Sequence, residues 1–287
     1  MPRSFLWPRY LAGALLATTL SLGTPLQAWG DKGHRIVSSL ALRSLPAGPQ
    51  AWFAGREAEV ADHASDPDHW KQDHKEGPRH FLDMEAYGSP DQISLSLDEA
   101  QVKLGGDFYR QGVVPWIIQD RWRDLVDAFR GGDPAEVAMA TAILGHYIAD
   151  AHVPLHTTVN HDGELTGQKG VHKRWETGLV ERFIVEDDLA ALPAQPDAAL
   201  LVRPWAWLRA SHALVPQLLE DDRAADRTTP VGGRGKQRTD AYWAIFWTKQ
   251  RAVVKQQLQT AGQHLGDAIL SAWIQAGRPA PRVKPVH

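Results

Sequence analysis

Two histidine-to-carboxylate pairs in this chain share one spacing. His146 and Asp150 lie four residues apart in an apolar, Ala-rich run from Ala138 to Ala151, and His172 and Glu176 repeat the interval further on. Residues four apart on a helix project from one face, so each pair presents an imidazole nitrogen and a carboxylate oxygen to a common space. That ligand set suits zinc. Between the pairs stands His156, in Val153-Pro154-Leu155-His156. Pro154 lacks a backbone N–H and disfavours helix at Val153, which predicts that the helix stops there and leaves His156 free to turn toward a second ion. A single such pair is commonly a surface ion pair or a hydrogen-bonded core histidine; two pairs with a punctuated third histidine favour a metal site.

Helices must position these residues. Apolar residues recur at three- and four-residue spacing over Gly33 to Leu45, Pro49 to Ala64, Leu97 to Gln111, Val114 to Arg130, Pro134 to Ala151, Val171 to Asp187, Trp205 to Glu220 and Thr239 to Ala276. Gly262 and Gly266 are candidate breaks in the last. Strand-like alternation is scarce, so the expected fold is all-α, a single compact multi-helix domain over residues 29–277 around the metal site. Ser65 to Pro90, Asn160 to Gly170 and Arg223 to Lys236 read as loops, and Arg278 to His287 as a flexible tail.

The chain's 287 residues suffice for one good core or two small ones, and its 31 basic and 34 acidic residues nearly balance. Arg3 and Arg9 precede an apolar run, Leu11 to Leu22, that is short for a membrane span and leads into Pro25-Leu26-Gln27-Ala28. This reads as a signal peptide over residues 1–28, with a short membrane anchor as the alternative. The protein is therefore expected to be exported, periplasmic or secreted, and monomeric. Cleavage removes two arginines and no acid, which moves the formal charge from −3 to −5. Such a chain has no basic footprint for nucleic acid, and attraction for phosphate must come from bound cations. It has no cysteine, so its core and its metal must stabilise it.

With cleavage after Ala28 the mature chain begins Trp29-Gly30-Asp31-Lys32-Gly33-His34. Taken with His80-Phe81-Leu82-Asp83, the two spaced pairs and the run Val253 to Gly262, it resembles the superfamily that joins bacterial zinc-dependent phospholipases C to the single-strand-specific zinc nucleases of fungi and plants. The resemblance implies three zinc ions. One takes Asp66, His80, His146 and Asp150; a second takes Trp29, through its free amino group and carbonyl, with His34 and Asp150; the third takes His156, His172 and Glu176. Asp66 is favoured by the fourteen-residue interval to His80 that the phospholipases show, and Asp68 in the same turn competes with it. The resemblance further implies Asp66 as the catalytic residue that holds or deprotonates the attacking water, with Phe81 and Asp83 as substrate contacts. His63, His69, His74, His161, His212, His264 and His287 match no ligand position and are expected to be mostly solvated. His152 is a candidate to contact a ligand residue.

Ions sharing a carboxylate ionise water near neutral pH and neutralise phosphoryl charge, so the expected reaction is phosphodiester hydrolysis. The substrate features divide. Glu176, the Asp66-to-His80 interval and the short His156-to-His172 interval are closer to the phospholipases, which makes release of a phosphorylated headgroup from phospholipid the leading expectation. The alternative is a single-strand-specific nuclease and 3′-nucleotidase acting on DNA, RNA and nucleotides. Trp29-Gly30-x-x-Gly33-His34 and the C-terminal helix favour it, and Lys32, Pro67 and Gly77 depart from the phospholipases' choline pocket. A non-enzymatic zinc-binding protein is the remote third reading. Among twelve tryptophans, Trp205-Ala206-Trp207 is the candidate for peripheral membrane contact.

Overall fold

The computed structural model describes residues 29–70, 75–88, 96–228 and 238–282. The segment read as a signal peptide lies outside them, as do His74, His287 and parts of the predicted loops and tail. The described residues contain no strand. Their α-helices are α1 (Gly30–Ser44), α2 (Ala47–Gln50), α3 (Glu57–Asp62), α4 (Leu97–Leu104), α5 (Val114–Gly131), α6 (Pro134–Asp150), α7 (Val171–Lys173), α8 (Leu179–Phe183), α9 (Arg203–His212), α10 (Val215–Thr228) and α11 (Asp240–Gln275).

Local chemistry sets the principal helix starts. Asp133 caps α6 by accepting from the Ala135 N–H at 2.9 Å, and Pro134 occupies the first helical turn, where its missing donor costs nothing. Ser96 caps α4 by accepting from Glu99 N and donating to the Glu99 carboxylate. Thr239 caps α11 through the Tyr242 N–H. α5 stops at Gly132, whose φ of 83° is left-handed.

α6 is the element around which the rest assembles. From Leu144 to Asp150 every residue of it is buried, and α1, α3, α5 and α11 pack against it. The all-α, single compact domain expected from periodicity is what forms, with one continuous apolar core. His146 and Asp150 therefore leave α6 into the middle of the molecule, where an uncompensated charge is costly.

Several helix boundaries differ from the sequence reading, each for a local reason. The segment from Pro49 to Ala64 is not one helix, because Gly55 takes a φ of 75° between the 3₁₀ turn Ala51–Phe53 and α3. Leu97 to Gln111 changes to a 3₁₀ helix at Gly105. Trp205 to Glu220 divides into α9 and α10, since Pro216 cannot donate to a preceding turn. In contrast, α11 runs unbroken through Gly262 and Gly266. A Cβ on Gly262 would stand 2.6 Å from Leu40 Cβ, and one on Gly266 would collide with Ser44, so both glycines are notches that let α1 lie close along α11.

The expectation that Trp205 and Trp207 meet a membrane is corrected. Trp205 is fully buried, edge-on to Trp116, and Trp207 is buried with its ring stacked on His264. Both belong to the core.

Candidate metal centre

Seven elements deliver side chains to one region. His34, on α1, stacks its ring on that of His146 with centroids 4.1 Å apart, and its Nε2 lies 3.7 Å from Asp150 Oδ1. His80 ends the 3₁₀ turn Gly77–His80 and brings Nδ1 to 2.9 Å from both Asp150 Oδ2 and His146 Nε2. Asp68 Oδ1 is 3.8 Å from His80 Nδ1 and 3.7 Å from His146 Nε2. On the far side, Glu176 Oε2 stands 3.0 Å from His172 Nε2 and 3.7 Å from His156 Nε2.

These atoms form three ligand groups: His34, His146 and Asp150; Asp68, His80 and His146; and His156, His172 and Glu176. Pro154 acts as the sequence implied. Helix α6 ends at Asp150, and His156 sits in the 3₁₀ turn Pro154–Thr157, buried and facing Glu176. Glu176 lies in a π turn, Arg174–Gly178, between α7 and α8. Such turns re-aim side chains and recur at functional sites. Trp29 precedes α1, wholly buried, and its indole Nε1 donates to the Ala149 carbonyl at 2.8 Å, which fixes this residue beside the end of α6.

One assignment changes. Asp68, not Asp66, reaches His80 and His146. Both occupy the 3₁₀ turn Asp66–His69, where three residues complete a turn and neighbours two apart point to different sides. Asp66 instead faces His63, with Oδ2 2.7 Å from Nδ1, and its side chain is 38% exposed against 6% for Asp68. The water-holding role expected of Asp66 has no geometry to support it.

The donor set fits divalent cations. Both ring nitrogens of His34 and of His172, together with His156 Nε2, Asp150 Oδ1 and Glu176 Oε2, are buried without a hydrogen-bond partner. Buried polar atoms left unsatisfied are costly, and one atom from each of these residues lies in a group that a cation would satisfy. Electrostatics agree. Burial lowers the pKa of His34, His156 and His172 to about 4 and that of His146 well below its usual value, so these rings are neutral and hold lone pairs for a metal. Burial raises Glu176 to about 7. Burial also works against a charged His80, but its bonds to Asp150 and Glu76 and the charge of Asp68 lift it to about 10. The carboxylates around it thus demand positive charge.

Other residues take places that the sequence did not reveal. Phe81 and Asp83 follow His80, and His161 joins them, its ring edge-on to Phe81 at 4.8 Å and its Nε2 3.1 Å from Asp83 Oδ1. The expectation of a solvated His161 is therefore corrected; its carboxylate partner lies 78 residues away in sequence and no local pattern marks it. His264, also expected in solvent, is half-buried between Trp207 and His152. His152 makes this contact rather than one to a ligand side chain, its Nδ1 donating to the Ile148 carbonyl.

The described residues thus form an all-helical domain in which three histidine-carboxylate groups could each hold a metal ion. The family model of the S1/P1 nucleases matches residues 29–273, and the chain belongs to that family, whose members are zinc-dependent phosphodiester hydrolases. A comparison with curated proteins finds no match. The family match favours the nuclease alternative over the phospholipase C reading that Glu176 and the residue intervals had placed first.

Proposed function

We propose that this chain is a zinc-dependent nuclease that cleaves single-stranded DNA and RNA and removes phosphate from 3′-nucleotides. It works outside the cytoplasm after loss of residues 1–28, as a monomer carrying three zinc ions. The observation that carries this reading is that three groups of histidine and carboxylate side chains, two of which share His146, are each placed to hold a metal ion in a chain of the S1/P1 nuclease family.

Zinc bound by these residues supplies water ionised near neutral pH and neutralises charge on the phosphoryl group. Asp68, His80, His146 and Asp150 would hold one ion, and Trp29, His34 and Asp150 a second. His156, His172 and Glu176 would hold the third with only three protein ligands, which leaves room for a substrate oxygen. The protein's own part is position. Asp68 would take over the role expected of Asp66, to hold or deprotonate the attacking water, Phe81 would offer a ring to a base, and Asp83 a carboxylate to the base's N–H groups. A formal charge of −5 after cleavage gives little overall attraction for a polyanion, so binding to nucleic acid should depend weakly on salt.

The test compares signal-cleaved, zinc-loaded protein on single-stranded DNA, RNA, phosphatidylcholine and phosphatidylethanolamine. The expected result is a higher kcat/KM for single-stranded nucleic acid, with Phe81→Ala removing most of that advantage. A higher kcat/KM for either phospholipid would return the chain to the phospholipase C reading.

A further inference from the structure

The inner histidines are held by their outer nitrogens. His146 Nδ1 donates to the Ala64 carbonyl at 2.9 Å, and His156 Nδ1 donates to the His80 carbonyl at 2.6 Å, which leaves Nε2 of each ring aimed inward. His80 is turned the other way. Its Nδ1 faces Asp150 and His146, and its outward Nε2 lies 3.3 Å from Glu76 Oε1.

Glu76 is itself buried and fully engaged. Its Oε1 also accepts from the Tyr147 hydroxyl at 2.5 Å, and its Oε2 accepts from Arg79 at 2.7 Å. Burial opposes its ionisation, yet the bonds from His80 and Tyr147 hold its carboxyl below the usual range. Tyr147 adjoins His146 on α6, and Arg79 adjoins His80. One carboxylate therefore ties the His80 turn to the helix that carries His146 and Asp150.

We propose that Glu76 is a positioning residue of the metal centre, fixing His80 as an Nδ1 ligand and strengthening it as a donor to zinc. A carboxylate accepting the outer N–H of a ligating imidazole fixes the ring's tautomer and orientation and raises its basicity. Without Glu76, His80 is free to rotate or to take the other tautomer, and the ion shared with Asp68 and His146 loses a ligand. The other group, of His156, His172 and Glu176, has no contact with Glu76 among the described residues, so its ion should be unaffected.

This inference rests on the reading of the centre as a zinc site, and the test separates the two. Zinc-loaded wild type, Glu76→Gln and Glu76→Ala are titrated with a competing chelator, and zinc content is followed by elemental analysis. In Glu76→Ala one ion should leave with affinity about 10- to 100-fold weaker than in wild type, the size usual for loss of such a partner, while the remaining ions leave as before. Glu76→Gln can still accept from Nε2 but lacks the charge, so it should fall between. Tyr147→Phe removes one hydroxyl and leaves the contact to His80; it covers the case in which Glu76→Ala does not fold, and should weaken the same ion by a smaller factor. Cobalt in place of zinc gives a second readout, since loss of His80 from the ligand set shifts the visible absorption bands in Glu76→Ala. Zinc release and cobalt spectra equal to wild type in both Glu76 variants would overturn the proposal. Wild-type protein that binds no zinc would instead overturn the zinc reading beneath it.

Discussion

Asp150 Oδ1 lies 3.7 Å from His34 Nε2, and both atoms are buried without a hydrogen-bond donor or acceptor. The other oxygen, Oδ2, faces His80 and His146. One carboxylate thus looks into two ligand groups at once. Asp150→Asn keeps the shape, removes the charge and replaces one oxygen by a group that cannot ligate. The expected outcome is a loss of turnover by orders of magnitude with helical circular dichroism unchanged, and elemental analysis should show less zinc than in wild type. Near-normal turnover in Asp150→Asn, with His172→Ala inactive, would move the shared position elsewhere.

The choice between Asp66 and Asp68 is directly measurable. Asp68→Asn is expected to lose most activity, because its carboxylate is the one beside His80 and His146. Asp66→Asn breaks only a half-exposed contact with His63 and should stay close to wild type in kcat. The reverse ranking would restore Asp66.

This pair also shows what a sequence can and cannot disclose. His146 with Asp150, and His172 with Glu176, were legible because a helix converts a spacing of four into a shared face, and His156 because Pro154 ends that helix. Asp68 was not, since a 3₁₀ turn in a Pro-containing loop follows a different period from the flanking helices, and an interval borrowed from the phospholipases points to its neighbour. Glu76 and Tyr147 meet across 71 residues, and His161 meets Asp83 across 78, distances at which no local rule operates. Gly262 and Gly266 misled for a related reason. A glycine inside a helix looks like a break until the partner helix that needs the space is known.

That space yields a stability prediction. In Gly262→Ala the new methyl would sit 2.6 Å from Leu40 Cβ, so α1 and α11 must separate. Overpacking of this kind costs about 1–3 kcal/mol, against a gain of about 1 kcal/mol in helix propensity. Urea unfolding is expected to show a net loss. A variant more stable than wild type would mean that the two helices can part freely.

Acid sensitivity should arise partly from the His152–His264 pair, joined Nε2 to Nδ1 at 2.8 Å. Burial lowers His152 to about 4, and burial with the charge of His152 lowers His264 to about 2, from an ordinary 6.5. The unfolded chain therefore takes up protons first as pH falls. Stability present above pH 6.5 is lost as the pH drops toward 4, by about 1.4 kcal/mol per unit for each histidine. His264→Asn keeps an amide N–H near the position of Nδ1 but does not titrate. Its unfolding free energy, measured by urea on zinc-loaded protein, should fall less steeply over that window. Equal slopes for the two proteins would exclude His264 as a contributor.

The proposed loss of residues 1–28 would make Trp29 the N-terminal residue. Trp29 is buried, its indole is fixed to the Ala149 carbonyl, and its ring lies 5.0 Å from that of Trp175, so its backbone is held beside the helix that ends in Asp150. If a freed α-amine at Trp29 completes the ion held by His34 and Asp150, then a chain bearing one residue ahead of Trp29 presents an amide there instead, and an amide nitrogen has no lone pair to offer. Such protein should fold, as judged by circular dichroism, yet bind one zinc fewer and lose most of its turnover. Removal of the extra residue by an aminopeptidase should restore both. Full zinc content and full turnover in the extended chain would show that the amine takes no part.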